Sequence, residues 1–257
     1  MGPEIRFEQV SRHFGAVRAV EAVDLTIAGG SFVALVGESG SGKSTLLRAI
    51  NRLDEAAQRE GRVTIGGADV TATPLTELRR RIGYVFQSIG LFPHMDVAAN
   101  VAIGRRARGD GLGEAEVAAL LDQVGLSSEF ARRMPRELSG GQAQRVGIAR
   151  ALAIEPEILL LDEPFAALDP VTRDALGKTV RALHEARGLT TILVTHDMAE
   201  AMLLADRVIV LAAGRIVADA TPADLAAGRG GAEAEALVAI PREQARRIAE
   251  LGAKADK

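Results

Sequence analysis

Phe32-Val-Ala-Leu-Val-Gly37-Glu-Ser-Gly-Ser-Gly42-Lys43-Ser44-Thr45 sets the architecture of this 257-residue chain. Its apolar opening, Phe32 to Val36, does not alternate and reads as a strand buried on both faces. The residues from Gly37 to Thr45 fit the pattern GxxxxGK(S/T), and behind them Leu46, Leu47, Ile50 and Leu53 recur at helical spacing. In a strand–turn–helix of this kind, backbone N–H groups wrap phosphate oxygens at distances a Cβ would obstruct, which is why the turn is rich in glycine. The helix opening near Gly42 adds the positive end of its dipole. The reading puts Lys43 at the β- and γ-phosphates and the Ser44 hydroxyl on Mg²⁺, with Gly37, Ser39, Gly40, Ser41, Gly42 and Thr45 completing the loop.

Upstream, Ile5–Phe7 and Val23–Ile27 alternate as strands, with a turn at Gly29-Gly30, and residues 61–70 read as a hairpin. Ile82–Phe86 is another buried strand. From about 88 to 155 the chain reads mainly as helices, among them Ala115–Val124 and Gly140–Ile154. Strand patterns return at Ile158–Leu161, Thr191–Thr195 and Val208–Leu211, with helices at Pro170–Arg187 and Met198–Leu204 between them. Strands alternating with helices indicate an α/β fold with a mainly parallel sheet. The domain is expected over 1–225. Residues 226–257 form a tail with a glycine linker at 228–231 and one amphipathic helix over Pro241–Leu251.

Three further positions lie where parallel sheets bind ligands, at the C-terminal ends of strands. Ile158-Leu-Leu-Leu-Asp162-Glu163 delivers a carboxylate pair: Asp162 to hold Mg²⁺, and Glu163 to orient or deprotonate the attacking water. His196 follows the run Thr191–Thr195. Gln87 ends the strand at Tyr84–Phe86 and could touch metal or water. The helical His184 is expected to be solvated, as are the arginine clusters Arg79–Arg81 and Arg105–Arg108.

Composition narrows the function. The net charge is −3, lysine occurs only at 43, 178, 254 and 257, and aromatics make up 3% with Tyr84 the sole tyrosine. Neither overall attraction nor stacking platforms favour nucleic acid as a partner. Cysteine is absent, which removes disulfides, thiolate metal sites and a cysteine nucleophile. No apolar run reaches the length of a membrane-spanning helix, no secretory leader is expected, and a cytoplasmic location is expected.

Leu138-Ser139-Gly140-Gly141-Gln142, opening a helix before the Asp162 strand, resembles the signature of ATP-binding cassette proteins. The other family motifs occur in order: the Walker A loop, Gln87 as the Q-loop, Asp162-Glu163, Ala167-Leu168-Asp169 as the D-loop, and His196 as the H-loop. The resemblance implies a P-loop NTPase fold with an N-terminal antiparallel β subdomain and a helical signature subdomain. It implies two copies head to tail, with ATP and Mg²⁺ sandwiched between them. Ser139, Gly140, Gly141, Gln142 and Asp169 would then address the nucleotide held by the opposite copy, and Phe14 would stack on adenine. Glu163, His196 and Gln87 would form the hydrolytic set, with Ser44, Gln87 and Asp162 at the metal.

Gln87-Ser-Ile-Gly-Leu-Phe-Pro-His-Met95, followed by Val97 and Asn100, is similar to the branch importing quaternary amines such as glycine betaine, choline and carnitine. The resemblance implies integral-membrane permease subunits, met through an apolar surface of Leu91, Phe92, Pro93 and Met95. It also implies an external substrate-binding protein and a place on the cytoplasmic face of the cell membrane. Polar amino acid import is the nearest alternative, then export or a soluble role. Many members of that branch carry C-terminal CBS modules, which are not expected in this chain.

Overall fold

The computed structural model describes residues 1–53 and 57–255; in the last helix the side chains described are those of 232–240, 242–247 and 251. The elements run β1 (Ile5–Phe14), β2 (Val17–Ile27), β3 (Phe32–Val36), α1 (Lys43–Ile50), β4 (Gln58–Ile65), β5 (Ala68–Asp69), α2 (Leu75–Arg80), β6 (Ile82–Val85), α3 (Val97–Arg106) and α4 (Glu114–Gln123). They continue through α5 (Gly140–Leu152), β7 (Ile158–Asp162), α6 (Pro170–Arg187), β8 (Thr190–Thr195), α7 (Met198–Leu204), β9 (Arg207–Ala212), β10 (Arg215–Ala220), α8 (Pro222–Ala226) and α9 (Ala232–Ala255). An antiparallel sheet has the order β2-β1-β4-β5, and a larger one the order β10-β9-β3-β8-β7-β6. The larger sheet is parallel except where β9 meets β10. This is the α/β architecture expected, with its antiparallel β subdomain.

The unalternating apolar strands have a simple cause. Side chains along a strand point to opposite faces, and here each face has its own core. Phe32, Ala34 and Val36 pack with Leu159, Leu161 and the inward residues of α3 to α6. Val33 and Leu35 pack instead with Ile158, Leu160, α1 and the antiparallel sheet. Parallel register then aligns the strand ends: Val36 pairs with Thr195, Asp162 with Val194, and Val85 with Leu161. The loops that follow β3, β6, β7 and β8 therefore leave the sheet along one edge.

Several expectations are corrected. The tail helix starts at Ala232 rather than Pro241 and continues through that proline. Ala234 and Val238 are buried in the same core as Leu225, so the boundary expected after residue 225 cuts through a packed region. Residues 256–257 of the expected tail, and the side chain of Glu250, lie outside the described set. Helix α2 was not expected; it is short, and only Leu78 in it is buried. His184 is not solvated: it lies on the buried face of α6 with Leu176, Val180 and Leu183. Its Nδ1 sits 3.0 Å from the Thr191 hydroxyl and its ring 5.2 Å edge-on from Phe32. Burial pushes its pKa below the ordinary value and favours the neutral ring.

The arginine clusters are also engaged rather than simply solvated. Arg79 donates to the carbonyls of Asn51 and Arg52, and Arg108 to that of Ile154. Arg81 pairs with Glu157 at 2.7 Å and Arg105 with Glu155 at 3.1 Å. Guanidinium groups suit this work because one fork can satisfy several carbonyl oxygens at chain crossings.

Candidate active site

The loop from Gly37 to Gly42 joins β3 to α1 as its glycines require. Gly42 has φ +100°, and a Cβ there would stand 2.2 Å from the Ala19 carbonyl oxygen, so only glycine fits. Gly40 has φ +81°, and a Cβ there would meet no protein atom within 4 Å. Lys43 is buried; its ammonium donates to the carbonyls of Gly37 at 2.8 Å and Glu38 at 2.7 Å. Burial lowers its pKa, against the pull of Glu163 and Asp162. Its partners are thus the oxygens of its own loop, which a phosphate oxygen could replace as a charge-assisted acceptor.

Asp162 ends β7 with its side chain only 1% exposed. Its Oδ1 accepts from the Ser44 hydroxyl at 2.6 Å, and its Oδ2 accepts from Arg48 at 3.1 Å and from the Tyr84 hydroxyl at 2.9 Å. Hydroxyl and carboxylate oxygens this close are the hard donors Mg²⁺ takes, so Ser44 and Asp162 fit that ion. Sequence reasoning missed Arg48 and Tyr84 at this point. Arg48 carried a signal, since it stands four residues after Ser44 on one face of α1. Tyr84 carried none, because its meeting with Asp162 depends on β6 lying beside β7.

Glu163 turns out of the strand in a left-handed conformation at φ 47°, its amide donating to the Val194 carbonyl at 3.0 Å. Such backbone is uncommon for a residue with a side chain and clusters at functional sites. Gln87 reaches across from the end of β6 and donates from Nε2 to Glu163 Oε2 at 3.1 Å. His196, just past β8, places Nδ1 3.6 Å from the same oxygen, beyond direct hydrogen-bonding distance. The structure therefore brings Glu163, Gln87 and His196 together. Among the described residues no hydrogen bond joins Gln87 to Ser44 or Asp162, the other members of the expected metal set.

The signature residues are elsewhere and differently held. Ser139 caps α5, accepting from the Gln142 amide at 3.3 Å while Gln142 Oε1 accepts from the Ser139 amide at 2.9 Å. This reciprocal cap satisfies the helix end within the chain itself. Ser139 and Gly140 are exposed, and among the described residues no hydrogen bond ties residues 139–142 to the phosphate loop. Asp169 is likewise exposed and caps α6 through the amides of Val171 and Thr172; the Thr172 side chain first, and then these amides, hold its carboxyl below the usual range. Phe14 is 39% exposed at the tip of the β1–β2 hairpin.

Behind Gln87 the chain is braced twice. Arg150 of α5 donates to the carbonyls of Ile89 at 2.8 Å and Gly90 at 2.7 Å. Buried Asn100 accepts from the Phe92 amide and donates to the carbonyls of Phe92, Met95 and Asp96. The braced loop exposes Phe92 and Pro93, whereas Leu91 packs on the core and contributes less to the apolar surface than expected.

Phosphate-loop turn, acidic strand end and converging glutamine and histidine define an α/β nucleotide-phosphate-binding protein. A family model described as ABC transporter matches residues 20–166. The chain belongs to the ABC transporter family. It is 47% identical over 224 residues to the glycine betaine uptake system ATP-binding protein YehX of Escherichia coli, covering 71% of that protein. It is 44% identical over 224 residues to the glycine betaine/carnitine/choline transport ATP-binding protein OpuCA of Bacillus subtilis, spanning 58% of that relative. The sulfate/thiosulfate import ATP-binding protein CysA of Mycobacterium tuberculosis is 49% identical over 217 residues, with 60% of its length covered. Among solved structures, the dimeric post-hydrolysis cassette MJ0796 bound to ADP and Pi superposes with TM-score 0.76 at 35% identity, over 85% of this chain and 98% of that one. An ATP-bound Atm1-family exporter gives TM-score 0.80 at 33% identity, over 91% of this chain and 41% of that one.

Proposed function

We propose that this chain is the ATP-hydrolysing subunit of an importer for quaternary amines such as glycine betaine and choline. It works as a pair of copies on the cytoplasmic face of the cell membrane, bound to integral-membrane permease subunits that an external binding protein supplies. The observation that carries the ATPase reading is the meeting of Gln87 and His196 at the Glu163 carboxylate, with only β8 between that strand end and the one bearing the phosphate loop.

In the reaction, water attacks the γ-phosphorus of ATP, the bond from that phosphorus to the β–γ bridging oxygen breaks, and ADP and phosphate leave. Glu163 accepts the proton of the attacking water, with Gln87 and His196 setting its orientation. Lys43 exchanges its loop carbonyls for phosphate oxygens and offsets their charge. Ser44 and Asp162 would hold Mg²⁺, whose chemistry there is to neutralise the β- and γ-oxygens. The exposed start of α5 presents the positive end of its helix dipole and the small residues Ser139 and Gly140, features with which a helix addresses an anion on a second copy. Tighter binding of ATP by the closed pair than by the open one is what turns nucleotide into movement.

The partner reading is supported by the braced, exposed loop at Phe92–Pro93. From Asp96 a groove of about 870 Å³ continues between α3, α4 and the turn over Ser128–Arg132. The substrate reading is supported by the relatives' names. A relative named for sulfate is as similar over this domain, because the residues compared are those of the ATPase and not of the solute site. Uptake of labelled glycine betaine, choline and sulfate by cells carrying Glu163→Gln separates the readings. Loss of amine uptake with sulfate uptake intact is expected. Loss of sulfate uptake instead would overturn the substrate, and unchanged uptake of every solute would overturn the importer role.

A further inference from the structure

We propose that Arg48 and Tyr84 are positioning residues for the cation-holding carboxylate: they fasten Oδ2 of Asp162, so that Oδ1, the oxygen paired with Ser44, is the one offered to Mg²⁺. The assignment rests on the nucleotide reading above and extends it to two residues that lie outside the phosphate-loop, signature, Q-, D- and H-loop motifs.

The division of labour at Asp162 is visible atom by atom. Ser44 and Arg48 stand one turn apart on α1 and reach the carboxylate from the same side of the sheet. The Ser44 hydroxyl takes Oδ1, while the Arg48 guanidinium takes Oδ2. Tyr84 reaches Oδ2 as well, from the neighbouring strand β6, whose register places it beside Leu160. The Tyr84 ring is itself propped by Phe86, the two centroids 4.5 Å apart.

A carboxylate buried to this degree needs compensating charge and hydrogen-bond donors. Arg48 supplies the charge and Tyr84 a neutral donor. With both bonds on Oδ2, rotation of the carboxylate about its own axis is blocked and the two oxygens cannot exchange roles. Partners that orient a ligand in this way govern metal affinity without touching the metal.

The test uses the full chain and a fluorescent ATP analogue, titrated in excess EDTA and again in Mg²⁺. Tyr84→Phe removes only the hydroxyl, and Arg48→Lys, at a half-exposed position, shortens the fork and serves should the first variant fail to fold. Expected is EDTA binding within about twofold of native for both variants, with the tightening caused by Mg²⁺ reduced about tenfold. In an Asp162→Asn background Tyr84→Phe is expected to change nothing further, since it acts through that carboxylate. Native Mg²⁺ dependence in the variants overturns the proposal. So does equal weakening with and without Mg²⁺, or an additive loss in the Asp162→Asn background. A native chain without Mg²⁺-dependent binding would overturn the ATPase reading as well, whereas native binding with indifferent variants overturns this assignment alone.

Discussion

Two helix starts in this molecule, those of α1 and α5, are held in opposite ways. The phosphate loop before α1 is braced from within the chain: Lys43 grips two of its carbonyls, Ser44 is tied to Asp162, and Gly42 is pressed against the Ala19 carbonyl. The start of α5 is capped only by its own Ser139 and Gln142 and stands exposed. The first is thus held by partners from elsewhere in the chain. The second is held by its own cap alone, which under the proposed function leaves it to face the nucleotide of a second copy.

The heaviest loss is expected on the phosphate-loop side. Glu163→Gln removes the proton acceptor while keeping its shape, so phosphate release is expected to slow by about 10²–10⁴-fold. Binding of an ATP analogue should stay near native, and comparable turnover in the variant would remove Glu163 from its role. Lys43→Ala comes next: nucleotide affinity itself should collapse, read by the same titration, because the buried ammonium is the cationic group nearest the loop carbonyls.

The contrast sharpens at the other helix. Ser139→Ala should leave the affinity of the single chain for ATP unchanged. It should nevertheless weaken ATP-driven pairing, measured by light scattering in the Glu163→Gln background. Loss of the cap also removes about 1 kcal/mol of stability, visible as a Tm drop of about 2–4 °C. If Ser139→Ala instead reduced nucleotide binding by the single chain, the two helix starts would belong to one site and the contrast would fail.

The mildest change lies away from both. His184 has its pKa lowered in the fold, so the folded state disfavours a proton that the unfolded chain accepts below its ordinary 6.5. Its stabilisation is therefore complete above that pH and is lost as the pH falls from there through the lowered folded-state value. Thermal melts taken from neutral to mildly acidic pH should show a decline of a few degrees that is reduced in His184→Gln. ATP binding should be untouched by that substitution.

Much of the site was legible because its residues sit at punctuation points. Glycines that need positive φ, a lysine opening a helix, and acids or amides where an apolar run stops all announce themselves in one dimension. His184 and the arginine clusters were misread for a related reason. A polar residue at helical spacing looks solvated unless one knows what lies across from it, and here Phe32 and Thr191 lie across from His184. The helix at 75–80 is missed because Leu78 is its one buried residue, and the early start of α9 because Pro241 reads as the opening of a helix rather than its interior.

The order of strand, loop and helix, the two-faced apolar strands and the identity of the residues at strand ends are all written in the linear chain. Those follow from steric limits on glycine and from the period of two along a strand, which are local. Which strand ends meet is settled only by the folded sheet. The order β3-β8-β7-β6 sets Gln87 and His196 on either side of Glu163, and it places Tyr84 beside Asp162, 78 residues away in the chain. Neighbourhood across a sheet is a matter of pairing, and no local spacing encodes it.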